Sequence, residues 1–446
     1  MDVFDLRDRL IDEYAAFARS FTTIRADDLR EPISRAYESG RFWPEPLVQI
    51  NPRYQTGQTV AELVEAKKLH PRCAELFGDL RLFRHQENAI EFASRGESFV
   101  VTTGTGSGKS LAFFIPIVDA VLRAKEVDPA PRTRAIVIYP MNALANSQME
   151  ELKKFLGESG PVTFARYTGQ EDEEQRKRIS HNPPDILLTN FMMLELLMTR
   201  QDEVDRAVIR NCKGLRFLVL DELHTYRGRQ GADVAMLVRR VRERLAGEDL
   251  ICIGTSATMV SEDAAADPAA KVAEVASRLF AAEIRPFHVV TEDLERATNP
   301  FETADSVRPR LGPVLDAGLP QGITNDELRD HPLAIWVETR LGLARGESGG
   351  KWVRARPMTL DEAAKALARD AGRPKDARAR ALKEFLIVDD AHTCAAPGAP
   401  GSLASTSSPR PRRTASPVSV SARFGARRHR SELERPKSSV TRAMCP

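Results

Sequence analysis

Eight residues, Thr103-Gly104-Thr105-Gly106-Ser107-Gly108-Lys109-Ser110, follow an apolar run (Ser98–Thr102) and open a helical pattern. Glycines at 104, 106 and 108 let backbone N–H groups turn inward and approach an anion closely. The N-terminus of the following helix adds about half a positive charge beneath them. Lys109 has the reach for β- and γ-phosphates, and Ser110 can offer its hydroxyl to Mg²⁺. This is the chemistry of a nucleoside triphosphate held by its phosphates. The strict loop pattern has Gly where this chain has Thr103.

A second cluster, Asp221-Glu222-Leu223-His224, follows the apolar run Phe217–Leu220. Two acids at the end of a buried strand are costly unless a cation meets them. Asp221 is placed to face Mg²⁺ through water, and Glu222 to polarise the water that attacks the γ-phosphate. The Asp-Glu pair stands 112 residues after Lys109. Ser256-Ala257-Thr258 follows a third run, Leu250–Gly254, and its hydroxyls are expected to hydrogen-bond His224 and couple the nucleotide site to the rest of the domain.

Short β-branched runs position these groups: 98–102, 135–139, 162–166, 185–189, 217–220 and 250–254. Helical patterns alternate with them at 110–123, 142–155 and 231–245. Such alternation predicts an α/β fold, a parallel sheet covered by helices on both faces. Ligands of such sheets sit outside the carboxyl ends of the strands, so the phosphate loop and the acids should share one crevice. Residues 1–80 read as a helical accessory region, with helices expected over 2–19 and 60–68. Residues 81–285 read as the nucleotide-binding domain. Residues 286–390 read as a mixed connecting or inserted region with a helix over 360–369.

The chain has 446 residues, 42% hydrophobic and 29% charged, with a net charge of +2. That is a globular composition, neither a cationic coat nor an acidic tail. The five cysteines are scattered singly, which argues against a zinc ribbon or a disulfide framework. The first residues lack the apolar core of a signal peptide, and no uncharged apolar run reaches the ~18 residues of a membrane helix. These features read as a reduced, cytoplasmic protein with no membrane partner.

The balance hides an asymmetry. Residues 391–446 carry ten Lys/Arg against two acids, a net +8, which leaves −6 for the rest. Rich in Ser, Pro, Ala and Arg, this tail is expected to be disordered. It reads either as a nucleic-acid-binding arm or as a solvated tail. A third reading is a frameshift near residue 390, because shifting plausible codons for Leu403–Ser408 yields Arg-Leu-His-Gln-Phe. Trp43, Trp336 and Trp352 read as packing residues, and His70 and His85 as structural. The arginines at 239, 240, 242 and 244 read as an exposed helix face or as phosphate contacts.

The order of phosphate loop, Asp-Glu-x-His and Ser-Ala-Thr resembles the first, recombinase-like motor domain of superfamily 2 DExH helicases. Arg84-His85-Gln86 resembles that family's upstream glutamine motif. The resemblance implies that Gln86 reads the adenine edge, with Phe83 against the base. Tyr139–Gln148, Tyr167-Thr168-Gly169 and Pro184–Asn190 resemble the motifs that line the family's nucleic-acid track. On that basis Pro140, Asn142, Gln148, Thr168, Gly169, Thr189 and Asn190 are expected along a strand, touching its backbone without reading sequence. The segment Asp221–Ala235 is similar to that of large bacterial DExH helicases of the mitomycin-repair and phage-defence groups. Their implied substrate is DNA, usually with 3′-to-5′ polarity.

Family members have a second motor domain whose arginines stabilise charge on the transferring phosphoryl group. No such motif follows Thr258, so the chain reads as one half of a motor that needs a second domain in cis or in trans. The resemblance therefore implies an ATP- and Mg²⁺-dependent helicase or translocase on single-stranded or duplex nucleic acid, DNA before RNA. The alternative is a truncated module that binds ATP–Mg²⁺ and nucleic acid without turnover.

Overall fold

A computed structural model of the protein describes residues 3–20, 24, 26–38, 47–104, 106–157, 160–257, 267–318, 323–346, 350–372, 381–383, 385–386 and, as backbone, 419–423. Thr105, Thr258 and Trp43 lie outside these residues, as does nearly all of the basic tail.

Seven strands form the central sheet. They are β1 (Phe99–Thr102), β2 (Ala135–Tyr139), β3 (Phe164–Tyr167), β4 (Ile186–Asn190), β5 (Leu215–Leu220), β6 (Ala246–Ser256) and β7 (Val289–Thr291). Their order is β7-β1-β6-β5-β2-β4-β3, with every neighbouring pair parallel. The connecting helices include α1 (Arg84–Ser94), α2 (Lys109–Val127), α3 (Asn142–Leu156), α4 (Phe191–Thr199), α5 (Gly228–Leu245) and α6 (Pro268–Phe280).

The strand period of two sorts side chains onto two cores. Val101, Val137, Tyr139, Phe217 and Val219 pack on one face with Phe113, Ile117 and Val121 of α2. Val100, Ile136, Ile138, Leu218 and Leu220 pack on the other with Val234, Leu237 and Val241 of α5. All five residues of β2 are buried, as a strand covered on both sides requires. Each such side chain contributes about 1.5–3 kcal/mol by leaving water.

The chain divides into two compact units, and the divisions fall at 53/54 and 295/296 rather than at the expected 80/81 and 285/286. Two short helices explain the first shift. Val60–Glu65 and Pro71–Phe77 bury Val60, Leu63, Cys73 and Phe77 in the same core as β1 and α2. The second shift comes from β7, which extends the sheet beside β1.

The other unit combines 1–53 with 296–396. Its core gathers Val48, Ile50, Val307, Leu311, Trp336 and Leu367. Trp336 is fully buried, and its indole N–H donates to Asp370 at 3.0 Å. The ring of Trp352 instead carries the Arg345 guanidinium 3.8 Å from its centroid. The helices expected at 2–19 and 360–369 are Val3–Ser20 and Leu360–Ala371. Strand Leu47–Asn51 pairs antiparallel with Met358–Thr359 and with Ser419–Arg423. That last segment is the one part of the basic tail among the described residues. No described helix is long and apolar enough to cross a membrane.

Candidate nucleotide site and nucleic-acid track

The phosphate loop joins β1 to α2. Gly106 (φ +80°) and Gly108 (φ +69°) both take left-handed backbone. At Gly108 a Cβ would also meet Gln86 Nε2 at 2.6 Å, so only glycine fits. Thr103, the departure from the strict pattern, is buried, and its hydroxyl lies 2.6 Å from that of Ser107. This pair closes the loop from inside. The Ser107 side chain thus faces the loop interior. Lys109 Nζ folds back onto the Thr103 carbonyl at 3.2 Å. Ser110 is half-buried in the first turn of α2. Gly104 N–H donates to Glu292 Oε2 at 3.2 Å, a carboxylate that stands in for an anion. The Gly104 amide thus takes an anionic oxygen, as a phosphate would supply.

Asp221 follows β5, and its N–H donates to Ile138 O at 2.9 Å. The Thr255 hydroxyl, on β6, donates to Asp221 Oδ1 and accepts from Glu222 N–H at 3.0 Å. Burial pushes the Asp221 carboxyl up from its ordinary range; the Thr255 bond and the charge of Lys109 pull against it, while Glu222 adds to it. Glu222 has left-handed backbone (φ 53°, ψ 56°), which for a residue with a Cβ costs on the order of 1–3 kcal/mol. Its Oε2 makes no aligned hydrogen bond and lies 3.2 Å from His224 Nδ1. His224 Nδ1 is 3.3 Å from Ser256 Oγ, which joins the acid pair to the Ser-Ala-Thr segment as expected.

Gln86 is buried with both ends of its amide engaged. Its oxygen accepts from Phe83 N–H at 2.9 Å, and its nitrogen donates to Gly108 O at 2.8 Å. Gln86 thus ties Phe83 to the phosphate loop. The Phe83 ring stacks at 5.6 Å and 17° on His85 and lies 5.3 Å from that of Tyr54. His85 Nε2 is 2.9 Å from Ser107 O. A carbonyl only accepts, so Nε2 carries the proton. Burial lowers the His85 pKa, and its Nδ1 has no partner.

The three track segments meet at the carboxyl ends of β2, β3 and β4. Asn190 Nδ2 donates to Asn142 Oδ1 at 2.7 Å and to Thr168 O at 3.1 Å, and its Oδ1 caps α4 through Met193 N–H at 2.7 Å. Three further expected track residues have partners within the chain. The Thr189 hydroxyl is buried and donates to Tyr167 O at 2.6 Å. The Thr168 and Gly169 amides donate to Glu171 Oε2 at 2.7 and 2.9 Å, so a carboxylate already holds them. Pro140 and Gln148 are half-buried beside this cluster, and the Gln148 oxygen has no hydrogen-bond partner. Thr255, Glu292 and Tyr54 escaped the sequence reading; the run Glu171–Glu174 with Arg176–Arg178 reads from sequence as a solvated helix face, but Glu171 is buried against Arg166 and the Thr168 and Gly169 amides. Only Thr255 left a signal, as the residue directly before Ser256 on a strand that ends beside Asp221.

Strand order, loop and acids together define this unit as a P-loop nucleotide-binding fold, with its ligand crevice at the carboxyl ends of the strands. Residues 83–266 match the DEAD/DEAH box helicase family. Residues 83–266 therefore carry the sequence signature of a DEAD/DEAH box helicase domain. It is 32% identical over 183 residues to the uncharacterized ATP-dependent helicase YprA of Bacillus subtilis, covering 40% of this chain and 23% of that protein. It is 26% identical over 335 residues to the Druantia protein DruE of Escherichia coli, covering 48% and 18%. The solved structure of the DUF1998 helicase MrfA bound to DNA and AMPPNP aligns at 26% identity and a TM-score of 0.42, over 56% of this chain and 33% of that one. The chain spans less than a quarter of the length of either curated relative.

Proposed function

We propose that the chain is the ATP-binding motor portion of a nucleic-acid helicase or translocase, acting on DNA before RNA in the reducing cytoplasm. The observation that carries this is the convergence of Lys109, Asp221 and Glu222, with Thr255 bonded to both acids. Three thiols, Cys73, Cys212 and Cys252, are free and buried, which suits a reducing compartment.

The donor set fits ATP with Mg²⁺. The loop amides take an anion, as Glu292 at Gly104 illustrates, and Lys109 adds charge. Ser110 and the second oxygen of Asp221 would hold the metal. When bound, Mg²⁺ neutralises charge that develops between the β- and γ-phosphates. Glu222, poised beside His224 and lacking an aligned hydrogen bond at Oε2, would orient and deprotonate the attacking water.

A second reading, binding without turnover, is favoured by one observation. Among the described residues, the sheets other than the seven-stranded one have two or three strands, so none resembles a second motor sheet. An arginine supplied by such a sheet is worth ~10³–10⁵ in turnover.

The test is ATP turnover by this chain with and without single-stranded DNA, with Lys109→Ala as the blank. DNA-stimulated turnover that Glu222→Gln abolishes, with nucleotide still bound, supports the motor. Nucleotide bound through Lys109 without turnover supports the binding module. Competition between matched DNA and RNA strands checks the polymer, and equal binding removes the DNA preference.

A further inference from the structure

At the opposite end of the sheet from the nucleotide crevice lies an open cleft of about 790 Å³. Arg95 precedes β1, Arg216 opens β5, Arg239 and Arg242 project from α5, and the acids on its walls are Glu243 and Asp249. The four guanidinium groups are not alike. Arg95 is paired with Glu91 and Glu97 at 2.8 and 2.9 Å, and Arg216 with Asp249 at 2.9 Å. Arg239 donates only to the carbonyls of Ala235 (2.7 Å) and Arg278 (3.1 Å), and Arg242 to Cys252 Sγ at 3.5 Å. Neither has a carboxylate partner. Two further arginines of this helix point elsewhere: Arg240 pairs with Glu195, and Arg244 donates to Met198 O. The basic run of α5 is thus split, and one half, Arg239 and Arg242, lies beside a cleft with no ion pair among the described residues.

We propose that this cleft binds the sugar–phosphate backbone of a second segment of the nucleic acid on which the motor works. The choice of polymer rests on the function proposed above. The cleft itself argues for phosphodiester over a free nucleotide. No aromatic ring lines it, so a base has nothing to stack on. It is open, so a chain can pass through. Arg239 and Arg242 are three residues apart on one helix, which puts their Cβ atoms roughly 5–6 Å apart, on the scale of neighbouring phosphates along a strand. Guanidinium held by neutral acceptors keeps its charge for a phosphate and can grip it with two parallel bonds. The six residues of β5 separate this end of the sheet from the Asn142–Asn190 cluster by roughly 20 Å, so the two places take different segments.

The test is binding of fluorescent single-stranded and forked DNA to the full chain across a salt series. For Arg239→Gln/Arg242→Gln we expect about tenfold weaker binding of the forked DNA. Two lost phosphate contacts should lower the log–log salt slope by about 1.8. Nucleotide affinity at the phosphate loop should be unchanged. Glu243→Gln, which removes an acid from the wall, should tighten DNA. A photo-cross-linker on Met236→Cys, an exposed position one turn before Arg239, should capture the DNA. Unchanged affinity and slope in the double variant, or no cross-link, overturns the cleft and leaves the motor reading standing. Displacement of the cross-linker's signal by inorganic phosphate but not by DNA also overturns it, as a small-anion site. Failure of the unaltered chain to bind any nucleic acid overturns both readings.

Discussion

The Thr255 hydroxyl donates to Asp221 Oδ1 across the neighbouring strands β6 and β5 while it accepts the N–H of Glu222 at 3.0 Å. One buried hydroxyl thus aims the acid proposed to hold the metal and holds the left-handed turn on which the proposed base stands.

Thr255→Val keeps the shape and strands both partners. An unsatisfied buried donor costs ~1–3 kcal/mol. We expect the midpoint of thermal unfolding to fall by several degrees and Mg²⁺-dependent turnover by at least about tenfold, with ATP affinity in the absence of Mg²⁺ unchanged. Thr255→Ser should recover most of both. A calorimetric scan beside a Mg²⁺ titration of turnover decides it, and a turnover equal to that of the parent chain removes the aiming role.

Asp221 is costly to the nucleotide-free fold, because burial raises its carboxyl pKa. A raised acid costs stability wherever it is ionised in the folded state, and the cost vanishes once pH falls below the ordinary aspartate value near ~3.9. Asp221→Asn should therefore raise the unfolding midpoint at neutral pH, by roughly 2–4 °C per kcal/mol regained, while abolishing turnover. The gain should shrink as the scan is repeated toward pH 4. A variant less stable than its parent at pH 7 would show that the charge is better compensated than its burial implies.

His85 is held neutral, its pKa lowered chiefly by burial. As pH falls through ~6.5 the unfolded chain takes up this proton first, so stability present above that value is lost below it. Urea midpoints between pH 7 and pH 5 should fall, and the fall should be shallower in His85→Gln. His288 and His331 are shifted in the same direction, so the triple variant should be shallowest. Parallel slopes in parent and His85→Gln would remove His85 from this account.

Asn190 serves two purposes that substitution can separate. Asn190→Asp keeps an oxygen for the Met193 cap but loses the donor to Asn142 and Thr168. Asn190→Ala loses all three, and the missing cap alone costs ~0.5–2 kcal/mol. Both should weaken strand binding severalfold by anisotropy, and only the alanine variant should also lower the unfolding midpoint by several degrees. Equal stability losses in the two would show that the cap is not what holds α4.

Much of the nucleotide site was legible because its geometry is local. A loop of three glycines between strand and helix, and two acids after an apolar run, are each written in consecutive residues. The six expected strands lie within a few residues of where they fold, since β-branched runs buried on both faces carry a strong signal. What was not legible is long-range. β7 has three residues, too few for any period, and only its neighbour β1 identifies it as a strand. Helix Val60–Glu65 looked accessory until its apolar face met α2's core. The expected track residues were chosen by type, but whether a hydroxyl faces outward or a neighbouring carbonyl depends on partners such as Tyr167 and Glu171 that spacing does not reveal.

The carboxylate of Glu292 on the Gly104 amide makes the phosphate loop its own competitor. An incoming phosphate enters by exchange rather than into open space, and its measured affinity is the intrinsic one scaled by the fraction of molecules in which that amide is uncovered. Glu292 directly follows β7, the three-residue strand at the sheet's edge, so the covered amide is tied to that edge. Whatever shifts the pairing of β7 with β1 will read out as a change in nucleotide affinity with no contact to the nucleotide itself.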